Sequence, residues 1–90
     1  MKKQIQIKIT GNVQGVFFRN YALEKAVKSG IKGFVKNMPD GEVYIEAYGD
    51  DDVLSLFIDW CYTGSPKAQV ENVEVKEMNE ISNFSRFEIR

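Results

Sequence analysis

A chain of 90 residues, 43% hydrophobic and 28% charged, can build one modest core and is neither disordered nor disulfide-stapled in composition. It has no histidine and a single cysteine, Cys61, which excludes a Ser-His or Cys-His nucleophile pair, an imidazole base, an internal disulfide and a zinc site. Net charge is −1 but uneven: residues 1–45 hold eight Lys/Arg against three Asp/Glu, a balance of +5, and residues 46–90 hold four against ten, a balance of −6.

The basic start, Met1-Lys2-Lys3, is followed by no long apolar stretch. Neither a signal peptide nor a membrane span is expected, and the chain reads as cytoplasmic. Ile5, Ile7 and Ile9 alternate with Gln4, Gln6 and Lys8, so residues 3–10 read as a half-buried strand. Phe18, Ala22, Leu23, Ala26 and Val27 then recur at helical spacing to Ser29, and Gly30 offers a C-terminal cap. Residues 31–37 form a second strand, Met38-Pro39-Asp40-Gly41 a turn, and Val43, Ile45 and Ala47 mark a third strand, joined to the second as a hairpin.

Asp50-Asp51-Asp52 supplies an N-cap and first-turn acids for a second helix. Its apolar stripe is Val53, Leu54, Leu56, Phe57, Trp60 and Cys61, and Gly64-Ser65-Pro66 ends it. A fourth strand spans 68–77, where Val70 fits one phase and Val73 with Val75 the other, so a bulge is expected near Asn72. A polar loop around Ser82 leads to a last short strand from Phe84 to Arg90. The order predicts a single α+β domain over 1–90: a ferredoxin-like α/β sandwich, βαββαβ plus a terminal strand, with an antiparallel sheet of four to five strands and two helices on one face.

The segment Gly11-Asn12-Val13-Gln14-Gly15-Val16-Phe17-Phe18-Arg19 joins the first strand to the first helix. A glycine-interrupted turn that opens a helix aims several backbone N–H groups at one spot, where the helix dipole also favours an anion. Arg19 on the first turn adds a planar fork of donors suited to phosphate or carboxylate. The same residues also suit an ordinary strand-to-helix turn with a solvated arginine, and no dinucleotide or P-loop glycine pattern is present. Asn37, at the end of the second strand, is open to two readings as well. Its carboxamide can satisfy the local turn backbone, or it can hold a water molecule in place.

Taken together, Gly11-x-Val13-Gln14-Gly15-Val16-x-Phe18-Arg19, Gly33-Phe34-Val35-Lys36-Asn37, Asp40-Gly41, Gly64-Ser65-Pro66, Val73-x-Val75 and Phe87-Glu88-Ile89-Arg90 resemble the acylphosphatases. The resemblance runs through essentially the whole chain. It implies an acylphosphate phosphohydrolase, which hydrolyses carboxyl-phosphate bonds without metal, cofactor or phosphoenzyme. It places phosphoryl binding on Arg19 with the amides of loop 12–19, among them Gln14, Gly15, Val16, Phe17 and Phe18. The role of orienting the attacking water falls on Asn37. The implied partner is a small acyl phosphate, with a monomer and neither nucleic acid nor membrane.

The chemistry suits a chain without histidine. A carboxylate leaving group has a conjugate acid of pKa ~4 and departs without a general acid. Two rival readings follow from the fold class: an RNA-binding module, for which Lys32-Gly33-Phe34-Val35 supplies a basic-Gly-aromatic strand, and a non-catalytic anion sensor.

Overall fold

The computed structural model describes residues 1–79 and 82–90; residues 80–81 of the polar loop expected around Ser82 lie outside that set. Its elements are β1 (Lys2–Asn12), α1 (Phe18–Lys28), β2 (Lys32–Asn37), β3 (Val43–Asp50), α2 (Asp51–Thr63), β4 (Gln69–Glu77) and β5 (Phe87–Ile89). The strands form one sheet in the order β4-β1-β3-β2-β5. Pairing is antiparallel among β1 to β4, as predicted, and β5 adds a parallel pairing with β2, which makes the whole sheet mixed.

Alternation along the strands sets the core. Ile7 pairs with Ile45 and Val75, and Val35 pairs with Ile45, so these side chains share the face that the helices cover. Ile5, Ile7, Ile9, Val43, Ile45, Ala47 and Val35 join Phe18, Ala22, Ala26, Leu54, Phe57 and Cys61 in one buried cluster. Phe57 is central, with its ring 5.9 Å from Trp60 and 6.2 Å from Phe87.

Several expectations are corrected by the packing. Leu56 is 65% exposed although it belongs to the apolar stripe expected of the second helix, and Val27, one of the apolar residues at helical spacing in the first, is 60% exposed. Leu56 lies about 200° around the helix from Leu54 at 100° per residue, and Ile58 is packed against the core instead. Asp50 stands at the N-cap of α2 but makes no side-chain cap, because it still belongs to β3. The Asp51 N–H donates instead to the Met1 carbonyl, 3.1 Å away. Gln4, on the polar phase of β1, is fully buried. The Ser82 N–H donates to its Oε1, and its Nε2 lies 3.2 Å from Glu46 Oε1 and 3.3 Å from Met78 Sδ.

Other local expectations hold. The end of α1 closes as a Schellman motif, with Ile31 N–H donating to Ala26 O and Gly30 N–H to Val27 O. The β1–β4 register slips between Thr10/Asn72 and Gly11/Val70, leaving Glu71 as the extra residue of a bulge. β1 runs past that bulge to Asn12, two residues longer than the alternating pattern, because Gly11 and Asn12 still pair with Val70 and Gln69. Among the described residues, no helix is long and apolar enough to cross a membrane.

Candidate active site

The sheet order brings the end of β1, the end of β2 and the start of α1 to the same end of the molecule. Ile9 of β1 lies opposite Val43, and Val43 lies opposite Asn37 of β2. Asn37 and Val35 share a strand phase, so Asn37 continues the helix-covered face just beyond the core. A cleft of about 350 Å³ opens there, lined by Val13, Gly15, Phe17, Phe18, Arg19 and Asn20 from the β1–α1 segment and by Asn37 across from them.

The loop backbone is unusual. Gly15 has φ 74°, a left-handed value that a residue with a Cβ adopts at a cost. Phe17, the N-cap of α1, has φ 63° and ψ 22° and is the one non-glycine with positive φ among the described residues. That conformation costs about 1–2 kcal/mol for a residue with a side chain. Phe17 is left-handed and Phe18 already helical. This alternation turns successive N–H groups toward one side, the concave form of backbone that suits an anion.

Among the described residues, no acceptor takes the N–H groups of Gly15, Val16, Phe17, Phe18 or Arg19. The first turn of α1 carries no acidic side chain, so its positive end is uncompensated. Arg19 is half-buried and has no carboxylate within 4.0 Å among the described residues. The Asn37 carboxamide is half-buried with no protein hydrogen-bond partner among the described residues. The turn beside it is served by Asp40, whose Oδ1 accepts from the Glu42 N–H at 3.0 Å.

Two expected residues do not line the cleft; they brace it. Gln14 donates from Nε2 to the carbonyls of Met38 at 2.8 Å and Glu42 at 2.9 Å, tying the loop to the hairpin that carries Asn37. Val16 offers its carbonyl to the Ser65 hydroxyl at 2.6 Å. Phe18 is buried with its ring 5.2 Å from Trp60, so its contribution to the cleft is main-chain. Val13 and Ser65 stand in motifs quoted from the sequence but carry no site role there, and Asn20 stands in none. Asn20 is legible as the neighbour of Arg19 on the first helical turn, whereas the contact of Ser65 with Val16 spans 49 positions and no local pattern points to it.

The arrangement sets amide donors and a guanidinium beside a carboxamide, none of them with a protein partner among the described residues, a donor set suited to an anion. Phe34, the aromatic of the RNA-type segment, is only 6% exposed. The Arg90 guanidinium lies 4.3 Å from its ring centroid and Phe84 packs edge-on at 6.0 Å, so it offers no open ring for base stacking.

A model of the family described as Acylphosphatase matches residues 5–89. An acylphosphatase of Shewanella amazonensis is 48% identical over 75 residues, covering 83% of this chain and 82% of its own. An acylphosphatase of Archaeoglobus fulgidus is 47% identical over 85 residues, 94% of each chain. The crystal structure of acylphosphatase from Bacillus subtilis superimposes with a TM-score of 0.94 at 37% identity, covering 100% of this chain and 99% of that one.

Proposed function

The chain belongs to the acylphosphatase family and is an enzyme of that type, and from this premise we propose that Arg19, the loop amides and Asn37 divide the work of acyl phosphate hydrolysis between them. The amides of Gly15 to Phe18 and the Arg19 guanidinium hold the phosphoryl oxygens and the charge that spreads over them in the transition state. Asn37 holds a water molecule in line with the departing oxygen. The water oxygen bonds to phosphorus as the bond to the carboxylate oxygen breaks, and the carboxylate leaves with the electron pair.

The water proton passes to a phosphoryl oxygen, since neither Arg19 nor Asn37 is a base. A carboxylate of conjugate-acid pKa ~4 leaves unaided, so the reaction proceeds without metal or cofactor. A phosphomonoester, whose alkoxide leaves far less readily, is a poor substrate. The enzyme works as a cytoplasmic monomer on small acyl phosphates, without nucleic acid.

The observation that carries this reading is the meeting of Arg19, Asn37 and a set of amides unclaimed among the described residues in one cleft. Turnover of benzoyl phosphate, followed by its ultraviolet absorbance, tests it, with activity persisting in excess EDTA. Arg19→Ala should lower kcat/KM by about 10²–10³ and abolish inhibition by inorganic phosphate. Asn37→Ala should lower kcat by a comparable factor of about 10²–10³ while phosphate still inhibits. Loss of phosphate inhibition in Asn37→Ala would remove the water-holding role, and EDTA-sensitive turnover would remove the metal-free mechanism.

A further inference from the structure

The peptide plane between Val16 and Phe17 can sit in two orientations, and one hydrogen bond selects between them. All peptide bonds of the described residues are trans, so the carbonyl of Val16 and the N–H of Phe17 point in opposite directions. The Ser65 hydroxyl, 1% exposed, donates to the Val16 carbonyl at 2.6 Å and holds it toward the protein interior. The Phe17 N–H is thereby directed the other way, toward the cleft that Phe17 lines.

The alternative is a flip of this plane by about 180°. It would take φ of Phe17 from 63° to about −117°, an allowed value for a residue with a side chain. The flip relieves the left-handed strain and turns a carbonyl dipole into the cleft, where it repels an anion. The left-handed φ of Phe17 thus works against the observed orientation, and the Ser65 contact from outside the loop opposes that tendency.

That contact is built in from the end of α2. Gly64 approaches the Phe18 ring so closely that a Cβ there would lie 2.7 Å from it. Ser65 follows directly, and its own carbonyl accepts from the Ala68 N–H at 3.0 Å, which fixes the turn. We propose that Ser65 is a positioning residue of the active site, whose hydroxyl latches the Val16–Phe17 peptide so that its N–H faces the phosphoryl group. Ser65 acts through Val16 and touches no substrate. The inference rests on the anion-cradle reading of the loop and adds the element that holds the cradle open.

The test is titration of the ¹⁵N-labelled protein with inorganic phosphate, following the amide resonances of Phe17 and Arg19. In the wild type both should shift on binding. Ser65→Ala should remain folded, bind phosphate about fivefold to tenfold more weakly and lose the Phe17 response, while Ser65→Thr, which keeps the hydroxyl, restores both. A folded Ser65→Ala protein with wild-type affinity and an intact Phe17 shift overturns the latch but leaves the proposed hydrolysis standing. If Ser65→Ala does not fold, the wild type still decides, because a silent Phe17 amide at saturating phosphate overturns the latch and a shifted one supports it. A wild type that binds no phosphate overturns both readings.

Discussion

At the scale of single residues, the site concentrates costs that the rest of the chain avoids. Phe17 is left-handed and 70% exposed, and five consecutive amides among the described residues go without a protein acceptor. Such local strain persists only where surrounding contacts hold it, and here these are the Gln14 side chain and the Ser65 hydroxyl. Arg19 and Asn37 were legible as residue types at meaningful positions. Gln14 and Ser65 were not legible as braces, since their bonds span 24, 28 and 49 positions.

A second residue-scale feature lies on the opposite sheet face. Burial raises the pKa of Tyr44 to about 12, helped by the hydrogen bond from its hydroxyl to Glu46 Oε2 at 2.7 Å and by the Glu46 charge. A phenol with a raised folded pKa contributes stability that is complete below its unfolded value of about 10 and lost as pH rises through about 12. Phenolate absorbance should therefore show a step near pH 12 that Tyr44→Phe removes, and Glu46→Gln should move that step down. A step at pH 12 that survives Tyr44→Phe would refute the assignment.

At the scale of elements, helical periodicity placed both helices to within a residue or so but misjudged their edges. Apolar identity put Leu56 in the core stripe of α2, whereas the angle around the helix puts it in water. Urea unfolding should separate the two leucines. Leu54→Ala, at a 1% exposed position, should cost about 2–5 kcal/mol, and Leu56→Ala no more than about 0.5 kcal/mol. Equal losses would place Leu56 back in the core. The bulge in β4 was legible because a phase slip between Val70 and Val73 is a local signal, and Glu71 absorbs it. The burial of Gln4 was not legible, because residues that cover it come from Met78 and Ser82.

At the scale of the whole molecule, the strand order decides that the cleft exists. β1 and β2 are adjacent in the chain through α1 but separated in the sheet by β3, and both end beside the α1 N-terminus. Phosphate bound there should stabilise the entire fold by linkage, because the unfolded chain has no assembled cradle. At a phosphate concentration of 100 Kd the gain is about 2.7 kcal/mol, or about 10–20 °C in Tm for a chain of this size. Arg19→Ala keeps the general salt effect of phosphate and loses its guanidinium, so its Tm should rise far less. An equal rise in both proteins would show that the anion acts elsewhere.

Read alone, the order of residues determined the βαββαβ succession, the glycine-bearing loop ahead of a helix and the presence of Arg19 and Asn37 at the ends of their segments. These depend on side-chain period and turn chemistry, which act over a few positions. Only the tertiary structure decided that Asn37 faces the loop, that Gln14 and Ser65 hold that loop, and that the last strand joins the sheet in parallel beside β2. Each of these arises between groups far apart in the chain, whose approach is set by sheet order and helix packing rather than by local propensity.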